Sequence, residues 1–250
     1  MRIGQEIEHL RVAYNRLFQK MKELVNNEGP DDMIIDFEKS AQNAFSNTFP
    51  GTNISFCLFH LGQNLYRHIV AEGFKVRYHE DDIFSLKMRC FIALAFLPIN
   101  QVADAFEELI DDDDIPQPIV SYFENSYIGA VRGRGARMRR LEPKFSIESW
   151  NGLNRCVNGE SRTINNLEGF HSTFIACLSS IHPNIWKLID ALKSEESLAK
   201  IKLQTLRNGI EPVKKKKYRD CDQRIIHLVQ NYNQAERMQF LKAIAHNIKV

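Results

Sequence analysis

The first predicted element is a long amphipathic helix. Its apolar residues recur at alternating intervals of four and three, which places them on one side of an α-helix. They are Ile3, Ile7, Leu10, Tyr14, Leu17, Met21 and Leu24. The pattern predicts that this stripe packs on a domain core, and a coiled coil is the alternative. A cluster of asparagine, glycine and proline at residues 26–30 ends the helix.

Two short apolar runs after this helix indicate buried strands. Met33–Ile35 is followed at once by Asp36, and the second run covers Ile54–Phe59. Both runs are short enough for strands and lack helical periodicity. A helical pattern follows each of them, the second over Leu61–Val70. The sequence therefore predicts a small strand-containing portion near its beginning.

Helical periodicity dominates the rest of the chain. Leu86–Leu97 is apolar on nearly all sides, which is typical of a helix in the middle of a core. Gln101–Ile110 is the next predicted helix, and periodicity returns at residues 165–180. His182–Asn184 is a helix start signal, and the helix that it opens extends towards Leu206. Two further helices are predicted after residue 218.

Charge is uneven along the chain, although the formal net charge is only +2. The segment Gly129–Pro143 interrupts the helical pattern with three glycines and five arginines, and we interpret it as an exposed loop suited to DNA phosphates. Its arginines are Arg132, Arg134, Arg137, Arg139 and Arg140. The run Lys214–Lys217 fits a nucleic-acid contact, a nuclear localisation signal or a solvated linker.

Cysteine usage and hydropathy indicate a soluble intracellular protein. The five cysteines are scattered, odd in number and form no CxxC pair, which favours a reducing compartment. No apolar stretch approaches the roughly 20 residues that a membrane span needs. The first residues contain no apolar signal core.

Three local patterns carry candidate chemistry, each with a structural alternative. Asp36 is either a functional carboxylate at a strand end or the N-cap of the next helix. Cys57-x-x-His60 is half of a zinc site, or a packed cysteine beside a hydrogen-bonded histidine. Glu168 and His171 share a helix face, which fits a metal ligand or a solvated polar stripe.

Taken in order, these patterns resemble the Mutator-like element (MULE) transposases. The earlier motifs are Ile35-Asp36-Phe37-Glu38, Ala41, Ala44-Phe45, Phe49-Pro50, Cys57-x-x-His60 and Gln63. The later motifs are Leu94–Pro98, Ala105-Phe106, Tyr122–Asn125, Trp150-Asn151, Asn165-Asn166-x-Glu168-Gly169-x-His171 and His182–Trp186. The resemblance runs from about Asp31 to Lys193 and depends on the ordered set, since no single motif is specific.

The resemblance implies a metal-dependent nuclease site. In this family two Asp and one Glu hold two divalent cations, Mg²⁺ or Mn²⁺, which stabilise the attacking and leaving oxygens of a phosphodiester. By position Asp36 matches the second aspartate and Glu168 the final glutamate, so both are implied catalytic residues and metal ligands. Cys57 and His60 match a family CxxH motif, whose role stays open.

The resemblance also implies an architecture that is mainly α with a small β remnant. Residues 1–65 would form a partial ribonuclease H-like α/β core, and residues 66–160 a large helical insertion that ends in the basic loop. Residues 161–207 would return to the core as helices. Residues 208–250 would form a basic linker and a helical C-terminal region.

One departure from the family pattern shapes the expected function. The first catalytic aspartate belongs on a strand upstream of the amphipathic helix, whereas this sequence opens with that helix. We therefore expect a nuclear, transposase-derived protein that binds DNA without transposing independently, with no membrane partner. The alternatives are an active metal-dependent DNA transposase completed by upstream sequence and a non-catalytic helical protein-interaction module. A homo-oligomer is left open.

Overall fold

The computed structural model describes residues 2–111, 114–133, 137–163, 170, 173–176, 178, 183–210 and 216–248. Side chains are described from residue 10 onwards within these ranges. The chain divides into two compact units. The first contains residues 1–163 and 224–250, and the second contains residues 164–223.

The first unit opens with helices around a pair of parallel strands. Its elements are α1 (Arg2–Leu24), β1 (Asp32–Ile35), α2 (Lys39–Thr48), β2 (Asn53–Phe56) and α3 (Leu58–Ala71). The two strands pair in parallel from Asp32↔Asn53 to Ile35↔Phe56. The predicted second strand was too long, because α3 begins two residues after β2 and Leu61 N donates to Cys57 O at 3.1 Å.

The α1 helix is confirmed, but the side that packs on the core differs from the prediction. Phe18 is buried against Phe45 and Phe49 of the α2 region, and Tyr14 packs beside it. Four members of the predicted stripe are exposed instead, namely Leu10, Leu17, Met21 and Leu24. Tyr14 belongs to the predicted stripe and Phe18 lies one turn further along beside it, so periodicity alone could not decide which edge of the stripe the core would cover.

A helical portion follows the strand pair in the first unit. It contains α4 (Lys75–Glu80), α5 (Asp82–Ala93), a 3-10 turn (Leu94–Phe96), α6 (Ile99–Ile110), α7 (Gln117–Phe123), a π-helix (Glu124–Ile128), α8 (Ile147–Trp150) and α9 (Leu153–Val157). The expected core position of residues 86–97 is confirmed, since Phe91–Leu97 is almost fully buried. The α-helix itself ends at Ala93, and the 3-10 turn continues the chain towards Pro98.

The remaining helices complete a mainly α architecture. They are α10 (Ile185–Arg207), α11 (Lys216–Gln230), a 3-10 turn (Gln234–Glu236) and α12 (Arg237–Asn247). The predicted start of α10 is confirmed, because Asn184 accepts a hydrogen bond from Lys187 N at 2.9 Å as its N-cap. Within the described residues, none of the helices combines the length and apolar character needed to cross a bilayer.

A short antiparallel hairpin, β3 (Val131–Arg132) and β4 (Arg139–Arg140), follows the π-helix. Gly129 lies between the π-helix and β3 with a φ of 97°, and an added Cβ would lie 1.9 Å from Leu141 O. Only glycine adopts this backbone without strain or collision. Carbonyl groups of the π-helix accept hydrogen bonds from the chain beyond β4, including Phe145 N to Ser126 O at 2.9 Å. The base of the hairpin is therefore fixed to a buried helical segment.

Candidate functional site

Asp36 and the CxxH motif lie together at one edge of the strand pair. Asp36 directly follows β1, Cys57 directly follows β2, and parallel strands bring their carboxyl ends to the same edge. His60 lies in the first turn of α3, and its Nδ1 is 2.8 Å from Asp36 Oδ1. The imidazole is 15% exposed and the carboxylate 53% exposed. The site therefore pairs a largely covered histidine with a carboxylate that still reaches solvent.

The N-cap alternative for Asp36 is wrong. Helix α2 begins at Lys39, its N-cap is Glu38, and no side chain caps it. The Asp36 carbonyl accepts a hydrogen bond from Glu38 N at 2.6 Å, which turns the chain sharply between β1 and α2. The Asp36 side chain is thus directed to His60 rather than to the helix start.

Glu38 forms a second polar contact beside this edge. Its Oε2 accepts a hydrogen bond from the hydroxyl of Tyr14 at 2.8 Å. This bond raises the pKa of Tyr14 above its usual range, and partial burial and the charges of Glu38 and Asp36 act in the same direction. The contact fastens α1 to the segment that follows β1.

An aromatic cluster lies beneath the strand edge. Phe37 stacks on Phe56 with ring centroids 4.6 Å apart and meets Tyr127 and Phe145 edge-on at 5.4 and 5.0 Å. Tyr127, from the π-helix, also contacts Trp150, whose indole N–H donates to the Tyr127 carbonyl at 3.2 Å. Aromatic pairs in these orientations add stability beyond their buried area. The cluster connects the residue after Asp36 with the helical portion.

The candidate metal ligands at the strand edge are Asp36, Cys57 and His60. Cys57 is fully buried, and among the residues that the structure describes no group of three His, Cys, Asp or Glu side chains is arranged to hold a metal ion. Several predicted residues lie outside the described part of the chain, namely Glu168, His171, His182, Lys214 and Lys215. The convergence of Asp36 with Glu168 therefore stays a prediction.

The basic hairpin contains three exposed arginines and one arginine that is paired within the first unit. Arg132 and Arg139 are cross-strand partners in the ladder, and both are exposed, as is Arg137. Arg140 is only 26% exposed, and it donates to Glu107 Oε1 at 2.5 Å and to the Gly129 carbonyl at 2.6 Å. Arg134 lies outside the described residues.

Sequence reasoning missed Glu107 and Phe145. Glu107 lies on α6, 33 positions before Arg140, and no periodic or spacing signal connects the two residues. Phe145 is an isolated aromatic residue in a segment that we interpreted as an exposed loop and its flank. The buried aromatic residues around it could have suggested a shared core, but nothing in the sequence identified which of them meet.

A comparison with known protein families finds a match for the strand-containing portion of the chain. No curated protein and no solved structure matched the chain. A family model described as the MULE transposase domain matches residues 8–64, a segment that contains most of α1, both parallel strands, α2 and the first half of α3. Asp36, Cys57 and His60 all lie within it. The resemblance to the MULE transposases, inferred from the ordered motifs, is therefore confirmed for residues 8–64 of this chain.

Proposed function

We propose that this transposase-derived protein binds DNA through the basic hairpin of β3 and β4. The observation that carries the proposal is the placement of Arg132 directly across the ladder from Arg139. Like charges that face each other across two strands destabilise the pair. A phosphate between the two guanidinium groups would remove this repulsion and form charge-assisted hydrogen bonds.

The anchoring of the hairpin supports the same function. Arg140 pairs with Glu107 and Gly129, so the base of the hairpin is held on α6 while Arg132, Arg137 and Arg139 face solvent. A rigid base lowers the conformational entropy that a DNA contact would have to overcome. Phosphate contacts of this kind position a protein on DNA but do not read its sequence.

We further infer that the portion containing β1, α2, β2 and α3 is a partial ribonuclease H-like core. The parallel pairing of the strands, the helix between them and the family match over residues 8–64 support this inference. In the intact family Mg²⁺ or Mn²⁺ supplies the electrophilic assistance at this edge. Asp36 offers one exposed carboxylate of the kind that these cations bind.

The two-metal chemistry of the intact family needs carboxylates from several elements. Of the two acids that the resemblance implies, only Asp36 lies within the described residues, and its Oδ1 is in contact with His60. We propose that in this chain the Asp36–His60 contact serves to hold the strand edge to α3. Nuclear localisation belongs to the same proposal and follows from DNA as the partner.

The test compares the intact chain with a variant that carries Arg132→Ala, Arg137→Ala and Arg139→Ala. Fluorescence anisotropy with a labelled duplex would measure affinity over a series of salt concentrations. We expect the variant to bind at least about tenfold more weakly at low salt. The slope of log K against log salt should fall by about 2 to 3, because each lost phosphate contact removes nearly one unit.

A matched control removes the same charge elsewhere in the first unit. Arg16, Lys20 and Lys75 are exposed and lie outside the hairpin, so replacing all three with alanine gives the same net charge as the test variant. We expect this control to keep most of the affinity and the salt slope. An equal loss in both variants would indicate a non-specific charge effect, and unchanged binding in the hairpin variant would remove the hairpin from the function.

A further inference from the structure

Helix α10 of the second unit carries an unusually exposed apolar surface. None of the residues in this 23-residue helix is buried. Leu192, Leu203 and Leu206 are each about half exposed, and Trp186 at the first turn is 72% exposed. Contiguous exposed apolar surface of this kind marks an interaction site in soluble proteins.

Six apolar residues of α10 belong to one continuous seam along the helix. Positions 185, 189, 192, 196, 199, 203 and 206 alternate in steps of four and three, and six of the seven are apolar. In order they are Ile185, Ile189, Leu192, Glu196, Ala199, Leu203 and Leu206. This is the spacing by which two helices pack with interlocking side chains. Glu196 is the single charged member of the seam.

We propose that α10 is a dimerisation helix that packs antiparallel against α10 of a second copy of this chain. In this arrangement Leu192 lies opposite the partner's Leu203, and Ile189 lies opposite the partner's Leu206. Glu196 then meets the partner's Ala199, whose small side chain leaves room for the carboxylate to reach the edge of the interface. Each of these layers occurs twice because the pair has twofold symmetry.

The residues beside the seam form defined pairs in the antiparallel orientation. Glu195 would lie next to the partner's Lys202 on one flank. On the other flank Trp186 would lie next to the partner's Arg207, which fits a cation–π contact. Glu196, which already pairs with Lys200 of its own helix at 2.7 Å, would face the partner's Lys200 as well. Lys193 would lie beside the partner's Lys200 on the same flank as Trp186, so the flanks contribute both attraction and repulsion.

A parallel pair would bring like charges together. Glu196 would face the partner's Glu196 in the middle of the apolar seam, where two carboxylates repel and lose hydration. Lys202 would lie beside the partner's Arg207 on the flank. Glu195 would, however, lie beside the partner's Lys200 in the parallel pair, so each orientation has one attractive and one repulsive charge pair on its flanks. The burial of Glu196 against a second Glu196 therefore decides against the parallel pair and favours the antiparallel one.

The first experiment measures the mass of the full chain by light scattering after size-exclusion chromatography, with nuclease treatment to remove DNA. We expect twice the chain mass of 29.0 kDa. Leu203→Ser should return the mass to that of the monomer at the same concentration. Ile201→Ser is the matched control, because Ile201 is 63% exposed on the opposite side of the same helix. The control should stay dimeric.

The second experiment tests orientation by exchanging charges. Glu195→Lys and Lys202→Glu should each raise the dimer dissociation constant several-fold, and the double variant should restore it. Residues 195 and 202 are two turns apart in one helix, so the rescue requires contact between copies. In a parallel pair residue 202 would instead lie beside the partner's Arg207, so Lys202→Glu alone would tighten the dimer. That result would refute the antiparallel orientation.

Four results would overturn the proposal. The intact chain would be monomeric at tens of micromolar, about the concentration at which a weak helix pair associates. Alternatively, the Leu203→Ser variant would remain dimeric. The intact chain could also be a monomer whose thermal stability falls on Leu203→Ser, which would indicate that this side of α10 packs within the chain. Equal losses in Leu203→Ser and Ile201→Ser would show that general hydrophobicity, rather than the seam, drives association.

Discussion

Asp36, Phe37 and Glu38 are consecutive residues that contact three different parts of the first unit. Asp36 meets His60 of α3, Phe37 enters the aromatic cluster, and Glu38 accepts a hydrogen bond from Tyr14 of α1. The sharp turn after β1 makes this possible, because it directs successive side chains away from one another. Three residues thus hold α1, α3 and the helical portion around the strand edge.

The contact between Glu38 and Tyr14 predicts a measurable pH dependence. Glu38 raises the pKa of Tyr14, so the bonded phenol stabilises the fold fully below its ordinary pKa of about 10 and loses this effect as pH rises through the elevated value. Glu38→Gln removes the carboxylate charge and should move the pKa of Tyr14 down towards 10. Tyrosinate absorbance would follow the titration.

The Tyr14→Phe variant serves as the control for this titration. It removes one ionising phenol and should delete the component that the Glu38→Gln substitution shifts. In the Tyr14→Phe background, Glu38→Gln should leave the tyrosinate titration unchanged. If it still shifts the titration, another tyrosine responds to Glu38 and the assignment to Tyr14 fails.

At the scale of an element, the basic hairpin places two like charges opposite each other, while an ion pair holds its base on α6. Arg132 faces Arg139 in the ladder, whereas Arg140 is paired with Glu107. Functional sites commonly keep interactions that reduce stability, because the groups are arranged for a ligand rather than for each other. The hairpin should therefore gain stability and lose DNA affinity from the same substitution.

Arg139→Glu tests this trade-off between stability and DNA affinity. It would pair a carboxylate with Arg132 across the ladder and stabilise the folded protein by about 0.2–1 kcal/mol. It would also weaken DNA binding, because it replaces a phosphate contact with a repulsive charge. Thermal unfolding and anisotropy titration on the same preparation would measure both effects.

Arg137→Glu separates the two effects in the hairpin. Arg137 is exposed and has no partner in the two-residue ladder, so its replacement should weaken DNA binding without raising thermal stability. The predicted trade-off between stability and DNA affinity would be refuted if Arg139→Glu lowered the thermal stability, or if both variants changed the thermal stability by the same amount.

Across the whole molecule, periodicity predicted the elements better than their contacts. The start of α10 at Asn184 and the burial of residues 91–97 followed from local signals that the fold preserved. The exposure of most of the α1 stripe did not, because α2 covers only the edge of that helix with Tyr14 and Phe18. Long-range pairs such as Arg140–Glu107 carry no local signal at all.

In the candidate site, too, the local patterns could be predicted from the sequence, whereas the contacts between distant residues could not. Asp36 at a strand end and the CxxH spacing could be read from the sequence because both are local patterns. Their mutual contact could not, since it depends on the parallel pairing of β1 and β2 that brings α3 beside Asp36. The aromatic cluster was equally hidden, because its members come from segments more than a hundred residues apart, such as Phe37 and Phe145.

The aromatic cluster predicts that the strand pair and the helical portion unfold together. Phe145 is buried against Phe37, Phe56 and Tyr127, so Phe145→Ala would open a cavity where the two portions meet. We expect a loss of about 3–5 kcal/mol in the free energy of unfolding. Glu142→Ala, an exposed position three residues earlier, should change stability by less than about 0.5 kcal/mol. Denaturant titration followed by tryptophan fluorescence and by circular dichroism would measure both variants. A loss below about 1 kcal/mol for Phe145→Ala would show that the cluster does not join the two portions.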